Sequence, residues 1–283
     1  MKILLIFICF SFVSGCTKLM FATANAPKIT YEGKIFNDIS YGLESRQSLD
    51  IYVPEQAQQQ SLPVVVFFHG GRWTFGSKDQ YKFVGMSLSS LGYIVVLPNT
   101  RLFPEVKFPT FVEDAADSIA WVFNNIGEYG GNNNHFFVSG HSSGAHIGAL
   151  LTANNKYLQA EGLTNQIISG FAGLAGPYDF EPKAEDLKDM FGPPENYPNM
   201  AVTTFIKGDE APMLLMYSAD DETVHVRNLE KLKAGIQAKQ GKVNSIIYES
   251  GGHTGTVAAF SWANPSDLPV KEDIDAFFRQ HIK

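Results

Sequence analysis

The 283-residue chain is 45% hydrophobic, 13% aromatic and 18% charged, which excludes a disordered or fibrous protein and fits one large α/β domain or two small ones. Its 22 Lys and Arg stand against 29 Asp and Glu, a formal charge of −7 with no run of like charge, so the basic face that nucleic acid requires is missing. The 2 cysteines, Cys9 and Cys16, both fall at the start of the chain, leaving the rest without a disulfide or thiolate metal cage and dependent on a buried core.

Taken in chain order, Lys2 is followed by an apolar run from Ile3 to Val13, too short to span a bilayer and typical of the h-region of an export signal. The run closes on Val13-Ser14-Gly15-Cys16, which resembles the lipobox of bacterial lipoproteins; an ordinary signal peptide that happens to contain a cysteine is the alternative. The lipobox implies cleavage before Cys16, acylation of that cysteine and anchorage to a membrane. Thr17 in place of an aspartate implies the outer membrane, facing the periplasm. The expected organisation is a signal peptide over 1–15, a lipid-anchored tether over 16–28 and one folded domain over 29–283.

Within the domain, strands and helices alternate. Val64-Val65-Val66-Phe67-Phe68 is a continuous apolar run of the kind buried on both faces of a parallel sheet. Further strands are predicted at 93–97, 135–139, 167–174, 213–217 and 243–248. A helix is predicted over 109–126, where Phe111, Ala115, Ile119, Val122 and Ile126 share one stripe, another over 145–152, and a last over about 268–282 carrying Ile274, Phe277 and Phe278. This alternation predicts an α/β fold, a mostly parallel central sheet with helices on both faces.

The chemical signal is Gly140-His141-Ser142-Ser143-Gly144, lying between a predicted strand and a predicted helix, the strand-turn-helix setting of a nucleophile elbow. A serine hydroxyl is a weak nucleophile at neutral pH and needs a base, which in turn needs an orienting acid. His253, in Ser250-Gly251-Gly252-His253 past the last predicted strand, stands where a loop delivers an imidazole to the sheet edge. The acid belongs to the turn after 213–217, where Asp220 and Asp221 compete. His69-Gly70-Gly71-Arg72-Trp73 ends the strongest strand, and glycines there let backbone N–H groups approach a developing oxyanion; the expected donors are Gly71, Arg72 and Ser143.

These segments, with Gly76-Ser77-Lys78-Asp79, Pro98–Pro104, Phe108-Pro109 and Glu113-Asp114-Ala115, resemble the carboxylesterase branch of the α/β-hydrolase superfamily. That branch includes hormone-sensitive-lipase-like, acetyl-xylan/feruloyl esterase-like and kynurenine formamidase-like enzymes. The resemblance implies an α/β-hydrolase fold and hydrolysis of short-chain or aromatic carboxylic esters through an acyl-serine, with Ser142 as nucleophile and His253 as base. Aligning Ser218 and Val224 with the family's Gly-x-x-Asp-x-x-Val turn selects Asp221 as the acid, although Ser218 departs from the glycine. No metal or cofactor is implied, and the partners are a small ester and the membrane reached through Cys16, with oligomeric state unread. An amidase or formamidase with the same residues is the alternative, and an inactive binding protein on this scaffold is a more distant one. Residues 180–208 are expected to form a lid or pocket wall in which Met190, Phe191 and Tyr197 line any acyl trench, with Trp73 and Tyr81 free to stack on an aromatic substrate. His141 and His146 are expected to pack around the elbow, Arg101 to pair with Asp114, and Asp179 to cap the next helix.

Overall fold

A computed structural model describes residues 21, 23–25 and 31–282. The expected signal peptide and Cys16 lie outside the described residues. Among these residues the strands β1 (Lys34–Ser40), β2 (Ser48–Val53), β3 (Leu62–Phe68), β4 (Ile94–Pro98), β5 (Gly131–His141), β6 (Ile168–Leu174), β7 (Met213–Ser218) and β8 (Val243–Tyr248) form one sheet in the order β1-β2-β4-β3-β5-β6-β7-β8. The hairpin β1–β2 and the β2–β4 pair are antiparallel, and every pairing from β4 to β8 is parallel.

The predicted strands 64–68 through 243–248 are all present, so the expectation of a mostly parallel sheet holds. The hairpin at the antiparallel edge was not foreseen. β1 reads KIFNDIS and is largely exposed, with no apolar face to mark it. β2 is buried on both faces despite carrying Asp50.

The apolar strands serve two cores at once. Val64, Val66 and Phe68 enter the core on one face of the sheet while Val65 and Phe67 enter the other, and Ile94, Val96 and Val95, Leu97 divide in the same way. Successive side chains of a strand point to opposite faces, so a run without polar residues is what a sheet covered on both sides requires. The first face is covered by α2 (Thr110–Asn125), which follows α1 (Lys82–Ser89), and by α3 (Ser143–Ala153). The short helices α4 (Lys156–Ala160), α5 (Glu185–Phe191) and α6 (Tyr197–Met200) follow, and α7 (Arg227–Ala238) completes this layer through Leu229, Leu232 and Ile236. The second face takes α1, Val257 of α8 (Gly252–Ala258) and α9 (Val270–Gln280), the last through Val270, Ile274, Phe277 and Phe278. No helix among the described residues is long and apolar enough to cross a membrane.

Ahead of the sheet, Asn25 is docked rather than loose: its amide N–H reaches the carbonyls of Asp79 and Gln80 at 3.2 Å, and its Oδ1 accepts from Phe83 N–H at 2.8 Å. Beneath the same loop, Lys78 is 2% exposed and its Nζ lies 2.7 Å from Asp50, itself fully buried, and 2.6 Å from Asp38. The pair joins the loop after β3 to the antiparallel edge. Removing one partner of a buried pair leaves an uncompensated charge, so Lys78→Met is expected to lower unfolding free energy by about 3–5 kcal/mol. Urea denaturation checks this, with the midpoint moving and the slope unchanged.

Candidate active site

The carboxyl ends of β3, β5, β7 and β8 deliver the candidate residues to one edge of the sheet, where open parallel sheets bind their ligands. β5 ends at His141 and α3 starts at Ser143, leaving Ser142 alone at the turn with φ 54° and ψ −122°. Its N–H donates to the Leu174 carbonyl at 2.8 Å, which ties the strained residue to the end of β6. The turn closes only because Gly144 has no side chain: a Cβ there would sit 2.1 Å from the Phe68 carbonyl oxygen. The serine Oγ thus projects from a rigid junction.

His253 Nε2 lies 2.9 Å from Ser142 Oγ, and His253 Nδ1 lies 2.8 Å from an oxygen of Asp221. The other Asp221 oxygen accepts the N–H groups of Thr223 and Val224, each at 2.9 Å. Burial alone would raise the Asp221 pKa, but the His253 hydrogen bond and the Val224 and Thr223 N–H groups together hold it below the ordinary carboxylate value. An ionised Asp221 accepts the Nδ1–H, which leaves Nε2 free to take the serine proton. The His253 side chain is 17% exposed, so a substrate can reach it while most water is excluded.

Of the two competing aspartates, Asp221 is the one that reaches the imidazole. Asp220 turns instead to the loop ahead of it, accepting Gly252 N–H at 2.8 Å and Gly251 N–H at 3.3 Å. The neighbours divide the work: one orients the ring, the other holds the loop that carries it.

The expected oxyanion donors lie on the loop after β3 and at the first residue of α3. Gly71 has φ 136°, Arg72 φ 54° and Trp73 φ 59°, a tight loop in which a Cβ on Gly71 would meet the Phe75 carbonyl oxygen at 1.9 Å. Ser143 opens α3, and the first N–H groups of a helix have no intrahelical acceptor, so its N–H is free to face an anion. Beside Ser143, a recess of about 10 Å³ is closed by the apolar side chains of Phe75, Leu102 and Ile147 among others. His69, under this loop, has its pKa pushed down to about 4 by burial and stays neutral. Among the described residues no cluster of His, Cys, Asp and Glu could hold a metal ion.

Three expectations about neighbouring residues need correction. Trp73 and Tyr81 offer no open ring face on which an aromatic substrate could stack: they are 5% and 4% exposed. Trp73 packs on Phe180 with ring centroids 5.7 Å apart and on Phe191 at 5.0 Å, because its left-handed backbone turns the indole inward. Met190 and Phe191 line no trench either, since α5 inserts both into the core, whereas Tyr197 is only partly buried against it. Asp179 caps no helix; it pairs with Lys231 Nζ at 2.6 Å and accepts the Thr203 hydroxyl at 2.6 Å. Arg101 does pair with Asp114, through Nη2 at 2.7 Å, and Gln47 Nε2, unremarked in the sequence, shares that carboxylate at 3.0 Å.

Comparison with known proteins agrees with this architecture. The model of the BD-FAE family matches residues 49–236. A probable isoprenylcysteine alpha-carbonyl methylesterase of Oryza sativa subsp. japonica is 27% identical over 79% of this chain and 59% of its own length. The kynurenine formamidase of Danio rerio is 29% identical over 51% of this chain and 47% of its own. The chain thus spans little more than half the length of the curated relatives it matches. Among solved structures, esterase B of Lactobacillus rhamnosis superposes with a TM-score of 0.80 at 19% identity, covering 96% of this chain and 94% of that one, and shares the fold.

The split between the aspartates is directly measurable. Asp221→Asn is expected to lower kcat on p-nitrophenyl acetate by about 10⁴, because the imidazole loses its orienting anion. Asp220→Asn keeps an acceptor for the loop and should cost less than about tenfold. The opposite ranking in steady-state kinetics would transfer the acid role to Asp220.

Proposed function

The chain belongs to the BD-FAE family, and from that premise we propose that it is a serine carboxylesterase acting on short-chain esters through an acyl-serine intermediate. The observation that carries the reading is the hydrogen-bond line Ser142–His253–Asp221, at 2.9 and 2.8 Å, on a strained elbow. In this mechanism Ser142 Oγ attacks the ester carbonyl as its proton passes to His253 Nε2. The carbonyl oxygen gains negative charge beside the N–H groups of Gly71, Arg72 and Ser143, which are held in place before the reaction and need no reorganisation. The tetrahedral intermediate collapses, His253 returns the proton to the leaving alkoxide, and water activated by the same imidazole then releases the acid.

The preference for short acyl groups rests on the shape of the wall. The recess beside Ser143 has room for about one water molecule, and the apolar residues of α5 are spent on the core. A long chain needs buried apolar area at roughly 25 cal/mol per Å², and a recess of this size supplies little of it. Aromatic esters remain within the reading through Phe75, which is 60% exposed on the oxyanion loop, rather than through Trp73 or Tyr81. An amidase or formamidase is the second reading. The likeness to a formamidase favours it, and the same residues would protonate an amine leaving group.

Hydrolysis of p-nitrophenyl esters from acetyl to palmitoyl, with N-formylkynurenine as the amide probe and Ser142→Ala as control, tests the assignment. The expected profile peaks at acetyl to butyryl and falls at least about tenfold by decanoyl, and Ser142→Ala loses about 10⁶ in turnover with its fold intact. Activity rising steadily to palmitoyl overturns the short-chain reading, and faster turnover of N-formylkynurenine than of any ester installs the second.

We further propose that Cys16 is acylated and holds the protein at the bacterial outer membrane, facing the periplasm. Several buried chains at about 0.8 kcal/mol per CH₂ give retention that salt does not reverse. The wild type is expected in the membrane fraction at high salt and Cys16→Ala outside it. A wild-type protein found wholly soluble, with its N-terminus elsewhere than residue 16, overturns this.

A further inference from the structure

Two buried polar side chains close to the serine have no place in the proton relay. His141 is 4% exposed and Tyr81 is 4% exposed; His141 contacts His253, and Tyr81 contacts His141. His141 Nε2 lies 3.0 Å from the backbone carbonyl oxygen of His253, and the two rings are tilted at 41° with centroids 5.0 Å apart. On the other side, His141 Nδ1 lies 3.0 Å from the Tyr81 hydroxyl, whose oxygen accepts the N–H of Gly70 at the foot of the oxyanion loop.

The polarity of this line follows from its two ends. A carbonyl oxygen only accepts, so His141 Nε2 carries a proton. In a neutral ring Nδ1 then accepts, and the Tyr81 hydroxyl donates to it while accepting from Gly70. Every group meets a partner of opposite polarity: Gly70 N–H to Tyr81 Oη, Tyr81 O–H to His141 Nδ1, His141 Nε2–H to the His253 carbonyl. Burial, and then the nearness of His253, push the His141 pKa down to about 3, which keeps the ring neutral. A cation at that spot would oppose the imidazolium that forms on His253.

We propose that Tyr81 and His141 are positioning residues that tie the main chain of His253 to the oxyanion loop, so that base and oxyanion donors keep one fixed separation. The inference rests on the reading of Ser142 and His253 as nucleophile and base. The tie is needed because His253 lies in the first turn of α8, directly after Gly251 at φ 133° and Gly252 at φ 59°, whose backbones have wide conformational freedom. Asp220 fixes the amides ahead of the histidine, and His141 fixes the carbonyl after it. Phe67 and His69 wall in the Tyr81 ring at centroid distances of 5.9 and 6.1 Å, so the phenol cannot swing away. A displacement of about 1 Å at a reacting group costs on the order of 10²-fold, a loss far larger than the value of one hydrogen bond to stability.

The test measures kcat and KM on p-nitrophenyl acetate, the rate of fluorophosphonate labelling at Ser142 and the thermal unfolding midpoint, all on the full chain. His141→Leu is expected to lower kcat and the labelling rate by about 100-fold with KM within threefold. His141→Gln places an amide N–H near the position of Nε2–H and is expected to recover kcat to within about tenfold of wild type. Tyr81→Phe keeps the ring packing and is expected to lower kcat about tenfold at unchanged KM, with a midpoint only a few degrees lower. Equal losses in the Leu and Gln variants, or a wild-type kcat in either His141→Leu or Tyr81→Phe, overturns the proposal. Where His141→Leu does not fold, Tyr81→Phe decides alone on the same two outcomes. A wild-type chain that takes no fluorophosphonate at Ser142 overturns the hydrolase reading and the tie together, and is told apart because it appears before any variant is made.

Discussion

The geometry of this protein is organised around a single strained residue. Ser142 sits at φ 54°, a backbone state that costs a side-chain-bearing residue of order 1–3 kcal/mol and persists only where the surroundings leave no alternative. Here they leave none. β5 runs through the centre of the sheet, bonded to β3 on one side and β6 on the other, and α3 is buried along its whole length directly after the turn. A relaxed serine would have to lift the helix off the sheet or slip β5 in register. The strain is therefore secured by the two cores, and its result is an Oγ that points out of the sheet edge at a place set by the most rigid part of the fold.

His253 arrives at that edge in the first turn of α8, behind two glycines, and Asp221 and Arg72 arrive on loops, so each needs to be tied. The histidine loop is held through its amides by Asp220 and through its ring by Asp221, adjacent residues on one turn after β7. The loop after β3 is held by its own tight turn and by Arg46, which donates to the carbonyls of Gly76 and Thr100 at 3.0 and 2.7 Å. The Asp221 and Arg46 contacts are partly buried, and hydrogen bonds among partly buried groups polarise one another in a medium of lower dielectric than solvent. Positioning and chemistry are consequently hard to separate by deletion of single residues.

Much of this was legible in the amino-acid sequence, for identifiable reasons. Buried parallel strands such as Val64–Phe68 have no polar positions, and the Gly140–Gly144 turn has a backbone requirement that only glycines flanking a serine meet. Such features are local, and local features can be read from a string. The edge hairpin was not readable: β1 shows no apolar face, and the polar Asp50 in β2 is neutralised by Lys78, distant in sequence and visible only in space. The direction of Trp73 was not readable either, since two successive residues at positive φ reverse the side-chain course that an ordinary loop suggests. His141 was expected to pack, and it does; its bond to the carbonyl of His253 joins residues 112 positions apart and has no counterpart in spacing or composition.

The attachment of α5 also bears on how the protein responds to its surroundings. α5 is fastened by two ion pairs, Arg72 with Asp186 and Lys107 with Asp189, whose side chains are 42–59% exposed, and by Met190 and Phe191 inserted into the core with 0% and 2% exposure. Exposed pairs are weakened by mobile ions, whose screening length is about 8 Å at physiological ionic strength, whereas the insertion of apolar rings is strengthened by salts such as sulfate that are excluded from protein surfaces. The two attachments respond to salinity in opposite directions, and the apolar one is the larger. The hold on α5 is therefore expected to outlast the screening of its two ion pairs, with Met190 and Phe191 keeping the helix on the core at high salt.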